Sequence, residues 1–150
     1  MNRPLAAEEL LTEAERLRVR AAIDAAEKRT SGEIRVHLED HIEDDVLDHA
    51  VFIFEELSMH RTRDRNGVLI YLSVGDRKLA VIGDVGIDQQ VPKDFWHDVL
   101  GILKLHLAAG RAADGLVEAV HLVGEKLRLF FPLRSDDRDE LSNDISFGRR

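Results

Sequence analysis

Carboxylate and amide side chains beside glycine recur in three separate segments of the chain. Thr30-Ser31-Gly32-Glu33 is the first, Asp64-Arg65-Asn66-Gly67 the second and Gly83-Asp84-Val85-Gly86-Ile87-Asp88 the third. Such oxygens are the donors that hard cations, calcium and magnesium, prefer. Glycine lets the backbone bend sharply or approach a ligand closely. Glu33, Asp64, Asn66, Asp84 and Asp88 are therefore candidate ligands of a divalent cation, with Asp114 a weaker one. A cation there could polarise a phosphate ester and activate water, and Arg65 could hold the phosphate. Taken singly, each segment has a plainer reading, because Asp and Asn beside Gly are common turn residues that bind nothing.

Other chemistries find less support. The chain has no cysteine, which removes disulfides, thiol catalysis and cysteine-based zinc sites. Its seven histidines show no zinc-ligand spacing; His37 and His41 are four apart, but at a strand end. No nucleophile elbow, phosphate-cradling loop or dinucleotide fingerprint is present. Ser31 is the serine nearest the glycine segments, and no histidine is assured beside it. Two charged stretches remain: an acidic run from Glu39 to Asp48, and a basic loop with Arg61, Arg63 and Arg65. The first reads as a solvated helix start and the second as a solvated loop, although either could meet a protein partner.

The elements that position these residues follow from periodicity. Thr12 and Glu15 form a capping box for a first helix, with Leu17, Ala21 and Ala25 as its apolar face and Gly32 as a cap after its end. Ile34, Val36 and Leu38 alternate with polar residues in a strand near an edge. A second helix buries Val46, Ala50, Ile53 and Leu57, widened by Phe54. Residues 67–72 are apolar on both faces, as in a central covered strand. Gly75-Asp76 turns the chain into an antiparallel strand from Lys78 to Ile82. Residues 83–92 read as a loop. Asp94 caps a third helix with Phe95, Val99, Ile102 and Leu103, and a fourth carries Leu116, Val120, Val123, Leu127 and Phe130 up to Pro132.

The order α-β-α-β-β-α-α defines an α/β fold. A right-handed crossover makes the first two strands parallel, the hairpin adds a third, and helices cover both faces of a small mixed sheet. This topology gathers the three glycine segments on one edge. The acidic run and the hairpin turn share the opposite edge.

Composition sets the frame. The 150 residues predict a single domain over 1–132, with a polar, flexible tail over 133–150. Lys and Arg number 21 against 29 Asp and Glu, a formal charge of −8, which speaks against nucleic-acid binding driven by overall charge. No apolar run approaches the roughly 20 residues that span a bilayer, and the N-terminus lacks a secretory pattern. A cytoplasmic location without a membrane anchor is the expectation.

In sequence the chain resembles the TPM domain family, also called the TPM-phosphatase family. The resemblance rests on Arg29-Thr30-Ser31-Gly32-Glu33-Ile34, Arg65-Asn66-Gly67-Val68-Leu69-Ile70, Asp76-Arg77-Lys78, Gly86-Ile87-Asp88 and the segment from Ala109 to Leu116. It covers roughly residues 10–130 in matching order and spacing. It implies an α/β sandwich, calcium or magnesium binding, acid-phosphatase-like activity and a role in maintaining membrane proteins. The family's Asp-Asn-Gly stands here as Arg65-Asn66-Gly67 with Asp64 one place earlier, and its Gly-Tyr-Gly as Asp84-Val85-Gly86. The resemblance therefore implies either an altered site or ligands relocated to Asp64 and Asp84. The signal peptide, membrane anchor and glycine-rich tail of many relatives are not seen.

Two functional readings stay open on sequence alone. One is a calcium- or magnesium-binding domain, with metal-dependent phosphatase activity as its catalytic extension. The other is a non-catalytic module that contacts a protein partner or maintains membrane proteins. Sequence leaves the partner and the oligomeric state unassigned.

Overall fold

The computed structural model describes residues 4–133 and 142–148. Among them, four strands form one sheet: β1 (Glu33–Glu39), β2 (Gly67–Ser73), β3 (Lys78–Gly83) and β4 (Ser146–Phe147), in spatial order β3-β2-β1-β4. β1 and β2 run parallel, with Glu33 opposite Gly67 and Glu39 opposite Ser73. β3 is antiparallel to β2, and β4 is parallel to β1 at His37 and Leu38. The helices are α1 (Glu13–Glu27), α2 (Val46–Glu56), the single turn α3 (Val85–Asp88), α4 (Phe95–Ala108) and α5 (Ala112–Phe130).

Strand alternation divides the core into two layers. Ile34, Val36, Leu38, Val68, Ile70 and Leu72 face α1, α4 and α5, and pack with Val19, Ile23, Val99, Leu103, Leu116, Val120, Val123 and Leu127. Leu69, Tyr71 and Ala80 face the other way, under Ala50, Ile53 and Phe54 of α2 and Met59. Residues of β2 are buried throughout, which explains its apolar character on both faces. The expected mixed sheet between helices is therefore the observed architecture.

Local signals account for the main boundaries. Thr12 and Glu15 make a reciprocal capping box at α1. Asp45, within the acidic run, accepts the amides of Leu47 and Asp48 at the start of α2.

Several details differ from the sequence reading. The buried face of α1 is Val19, Ala22 and Ile23, whereas Leu17 is 62% exposed. β-branched residues four apart outweigh one leucine and two alanines as a core stripe. β1 is an interior strand, because β4 lies beside it. The segment after Pro132 thus supplies part of the sheet; residues 134–141 and 149–150 of the expected tail lie outside the described residues. Residues 85–88 form a helical turn, capped by the Asp84 carboxylate on the Val85 amide. Asp94 makes no side-chain cap to α4. Gly32 serves close packing rather than capping α1, which ends at Glu27: a Cβ there would stand 2.6 Å from Leu127 Cδ2.

Candidate functional site

Strand register brings the three glycine segments together. Glu33 pairs with Gly67 across β1 and β2, and Val68 pairs with Gly83 across β2 and β3. Backbone hydrogen bonds then tie the loops beyond these ends. The Asp84 amide donates to Gly67 O at 2.9 Å, the Gly86 amide to Arg65 O at 2.8 Å and the Glu33 amide to Asn66 O at 3.4 Å. The approach at Gly86 is so close that a Cβ would fall 2.1 Å from Asp64 O and 2.6 Å from Arg65 O. Only glycine permits that contact. Arg65 itself holds φ at +51°, a left-handed conformation uncommon for a bulky residue.

The side chains divide into two groups. Arg65 grips Asp84 with Nε to Oδ2 at 2.7 Å and Nη2 to Oδ1 at 2.8 Å. The same Oδ1 accepts the Val85 amide at 2.8 Å, so the buried Asp84 carboxylate is fully engaged within the protein. Arg65 in turn is drawn further toward its charged form by the hydrogen bond and charge of Asp84. Asp88 accepts Trp96 Nε1 at 2.8 Å.

The second group is a chain of weaker contacts. Asn66 is 1% exposed, and its amide Nδ2 donates to Ser31 Oγ at 3.2 Å. Ser31 Oγ donates to Asp64 Oδ2 at 3.4 Å. Asn66 Oδ1 is buried and accepts no hydrogen bond. An unsatisfied buried acceptor costs about 1–3 kcal/mol. Glu33 is buried close by, at the start of β1.

All five predicted ligands therefore share one edge, and Asp64 there also lies 4.0 Å from Arg63 Nε. Asp84 and Asp88 are committed to Arg65 and Trp96. Asp114 is elsewhere, paired with Arg18 of α1, which holds its carboxyl below the usual range. Among the described residues, no three His, Asp or Glu side chains group as a metal-binding set. The oxygen donors at this edge are of mixed type: the Asp64 carboxylate, the Asn66 amide oxygen and the Ser31 hydroxyl. Ser31 joins this network through the fold, its sequence signal being adjacency to Gly32, whereas Arg65, read from sequence as a phosphate holder, is paired with Asp84.

The opposite edge holds a histidine–carboxylate network that spacing did not reveal. Glu39 Oε1 lies 3.1 Å from both His37 Nε2 and His49 Nε2. His37 Nδ1 is 2.7 Å from Ser146 Oγ, and His49 Nδ1 is 3.2 Å from Asp44 Oδ2. Burial lowers the His37 pKa, with the Glu39 hydrogen bond opposing. Neutral His37 carries one ring proton, and the Glu39 carboxylate can only accept. The proton thus belongs on Nε2, and Nδ1 accepts from the Ser146 hydroxyl. Tyr71 stacks on His37 with ring centroids 5.7 Å apart, and burial, then the Glu39 charge, pushes its phenol pKa up. On the same edge, His41 Nδ1 meets Asp76 Oδ1 at 2.7 Å.

A sequence model of the TPM domain matches residues 6–126. The chain belongs to the TPM domain family. Its structure is similar to the NMR structure of the BA42 protein from the psychrophilic bacterium Bizionia argentinensis, with a TM-score of 0.87 and 45% identity over 94% of this chain and 97% of that one. It shares its fold with the N-terminal domain of a protein from P. gingivalis, at a TM-score of 0.63 and 21% identity over 79% of this chain and 76% of that one. No curated protein matches it. Among the described residues no helix is long and apolar enough to cross a membrane.

Proposed function

We propose that this TPM domain binds a divalent cation, calcium or magnesium, at the edge where the three loops meet. The observation that carries the reading is Asn66 Oδ1, a buried amide oxygen without a hydrogen bond in a site that also presents Asp64 and Ser31. Hard cations take carboxylate, amide and hydroxyl oxygens together with water. Asp64 and Asn66 are the central donors in this reading, with Glu33 beside them. Asp84 and Asp88 complete the predicted set only by leaving Arg65 and Trp96. In the resting arrangement Asp84 serves to hold the Arg65 loop in place.

A bound cation would supply Lewis acidity toward a phosphate oxygen. The residues themselves position donors and fix the loops. Phosphate-ester hydrolysis is the catalytic extension of the proposal, and cation binding is its prerequisite.

The test is thermal unfolding with and without each cation. At roughly tenfold excess over Kd, ligation to the folded state stabilises by about 1–2 kcal/mol. The expected result is that calcium or magnesium stabilises the wild type and that Asp64→Asn abolishes the effect. Equal stabilisation of the variant would remove the assignment.

A further inference from the structure

Residues 142–148 lie in a trough between α1 and the outer edge of β1. Arg16, Arg20 and Asp24 stand four apart and so share one face of α1. Each holds one residue of the segment. Asp24 Oδ1 accepts the Asn143 side-chain amide, Arg20 Nη1 meets Asp144 Oδ1 at 2.6 Å, and the Arg16 guanidinium covers the Phe147 ring at 5.0 Å. The segment therefore runs antiparallel to α1. From the sheet side, His37 Nδ1 meets Ser146 Oγ at 2.7 Å and Leu38 O accepts the Gly148 amide at 2.9 Å. Ile145 and Phe147 pack against the core. The contacts thus select an amide, a carboxylate, an apolar residue, a hydroxyl and an aromatic ring in succession. Proteins that bind extended peptides work in this way, adding a strand through the backbone and reading each side chain separately.

The chain's own segment fills the trough incompletely. β4 is two residues long against the seven of β1. In the Arg20–Asp144 pair both side chains are more than half exposed, where an ion pair contributes little. Arg16 Nε, Arg35 Nε and Asn143 Oδ1 are buried without a hydrogen bond, and each opposes the contact. Burial disfavours the Arg35 cation, and the Asp144 charge favours it. An open groove of about 310 Å³ persists beside Leu17, Ile145 and Phe147. Charges here are mixed, with Glu13 also on the groove wall. Recognition therefore rests on the paired contacts and not on net sign.

We infer that the trough between α1 and β1 binds an extended segment of a partner protein, one with a carboxylate three residues before an aromatic ring, and that residues 142–148 occupy it in the partner's absence. Arg20 takes the carboxylate, Arg16 takes the ring and the edge of β1 takes the backbone. None of these residues belongs to the cation site.

The test is an amide NMR titration of the labelled full chain with two peptides. Ser-Asn-Asp-Ile-Ser-Phe-Gly repeats residues 142–148, and Gln-Glu-Val-Thr-Tyr-Gly keeps only the chemistry. In the full-length double variant Asp144→Ala, Phe147→Ala, both peptides are expected to bind, with saturable shifts on residues 16–20 and 36–38. In the wild type the tethered segment competes, so binding is about tenfold weaker, and the amides of 142–148 shift as the segment leaves. Adding Arg20→Glu to the double variant weakens binding about tenfold. A peptide with lysine for the acid and alanine for the ring does not bind. Arg20 is half exposed, and the amide spectrum of each variant reports its fold. No binding to the double variant, shifts gathered elsewhere, binding of the self-derived peptide alone, or a wild-type segment that neither peptide displaces overturns the proposal. So does a wild-type dimer in sedimentation that the double variant loses, since that gives the trough to a second copy.

Discussion

Arg65 and Asp84 meet through two parallel hydrogen bonds, 2.7 and 2.8 Å long, that join the loop before β2 to the turn after β3. Asp84 is buried while Arg65 is 47% exposed at its side chain. A bidentate pair of this kind fixes geometry as well as charge. It holds Arg65 in its left-handed conformation and sets the carbonyl groups against which Gly86 packs.

Removal of one partner therefore differs from removal of both. Arg65→Ala leaves a buried carboxylate uncompensated and is expected to lower the urea midpoint. The double variant with Asp84→Ala should recover part of that loss. Urea unfolding of the four proteins gives the cycle. Strictly additive effects would contradict the pairing.

Gly86 and Gly101 make a matched contrast. Gly86→Ala drives a methyl group into the carbonyls of Asp64 and Arg65, and should destabilise by about 2 kcal/mol or more. Gly101 lies within α4 with nothing within 4 Å of an added Cβ. Gly101→Ala should stabilise by about 0.5–1 kcal/mol through helix propensity. Thermal or urea unfolding separates the two; destabilisation at both positions would count against the close approach as the cause at Gly86.

Asp76 gives a pH prediction of definite sign. Hydrogen bonds from the Ser73 hydroxyl and the Ile42 amide, with His41 assisting, lower its pKa from 3.8 to about 2. A depressed carboxylate stabilises fully above its unfolded pKa and loses that contribution as pH falls through its folded one. The loss should fall between about pH 4 and pH 2. His41 has the opposite sign: Asp76 first, then Glu43, raises its pKa. Its contribution is full below the ordinary histidine value and disappears as pH rises through the raised one. Asp76→Asn should cost about 1–2 kcal/mol at neutral pH and flatten the acid limb of stability measured by urea unfolding from pH 2 upward. An unchanged acid limb would exclude Asp76 as its source.

Much of the architecture was legible because local patterns agree with it. The doubly apolar run of β2, the Thr12–Glu15 box and the acidic start of α2 each specify their element without help from distant residues. The buried face of α1 was not, since Leu17 competes with Val19 and Ile23 and tertiary packing decides among them. β4 leaves almost no sequence trace: Ser146 and Phe147 become a strand through their pairing with His37 and Leu38. The loop edge was legible in outline from glycine and carboxylate adjacency. Its internal pairings were not, because Arg65–Asp84 and Trp96–Asp88 depend on side-chain geometry that spacing does not encode. The Glu39 network was hidden for the same reason: His37, His49 and Ser146 converge only once the sheet and α2 are assembled.

A two-dimensional amide NMR titration with calcium, magnesium and zinc tests the cation site at the loop edge. Saturable shifts with calcium or magnesium, confined to residues 31–33, 64–67 and 83–88, are expected, with their loss in Asp64→Asn. No shifts at millimolar calcium or magnesium, or shifts confined to the acidic segment around Asp44 and Asp45, would contradict it.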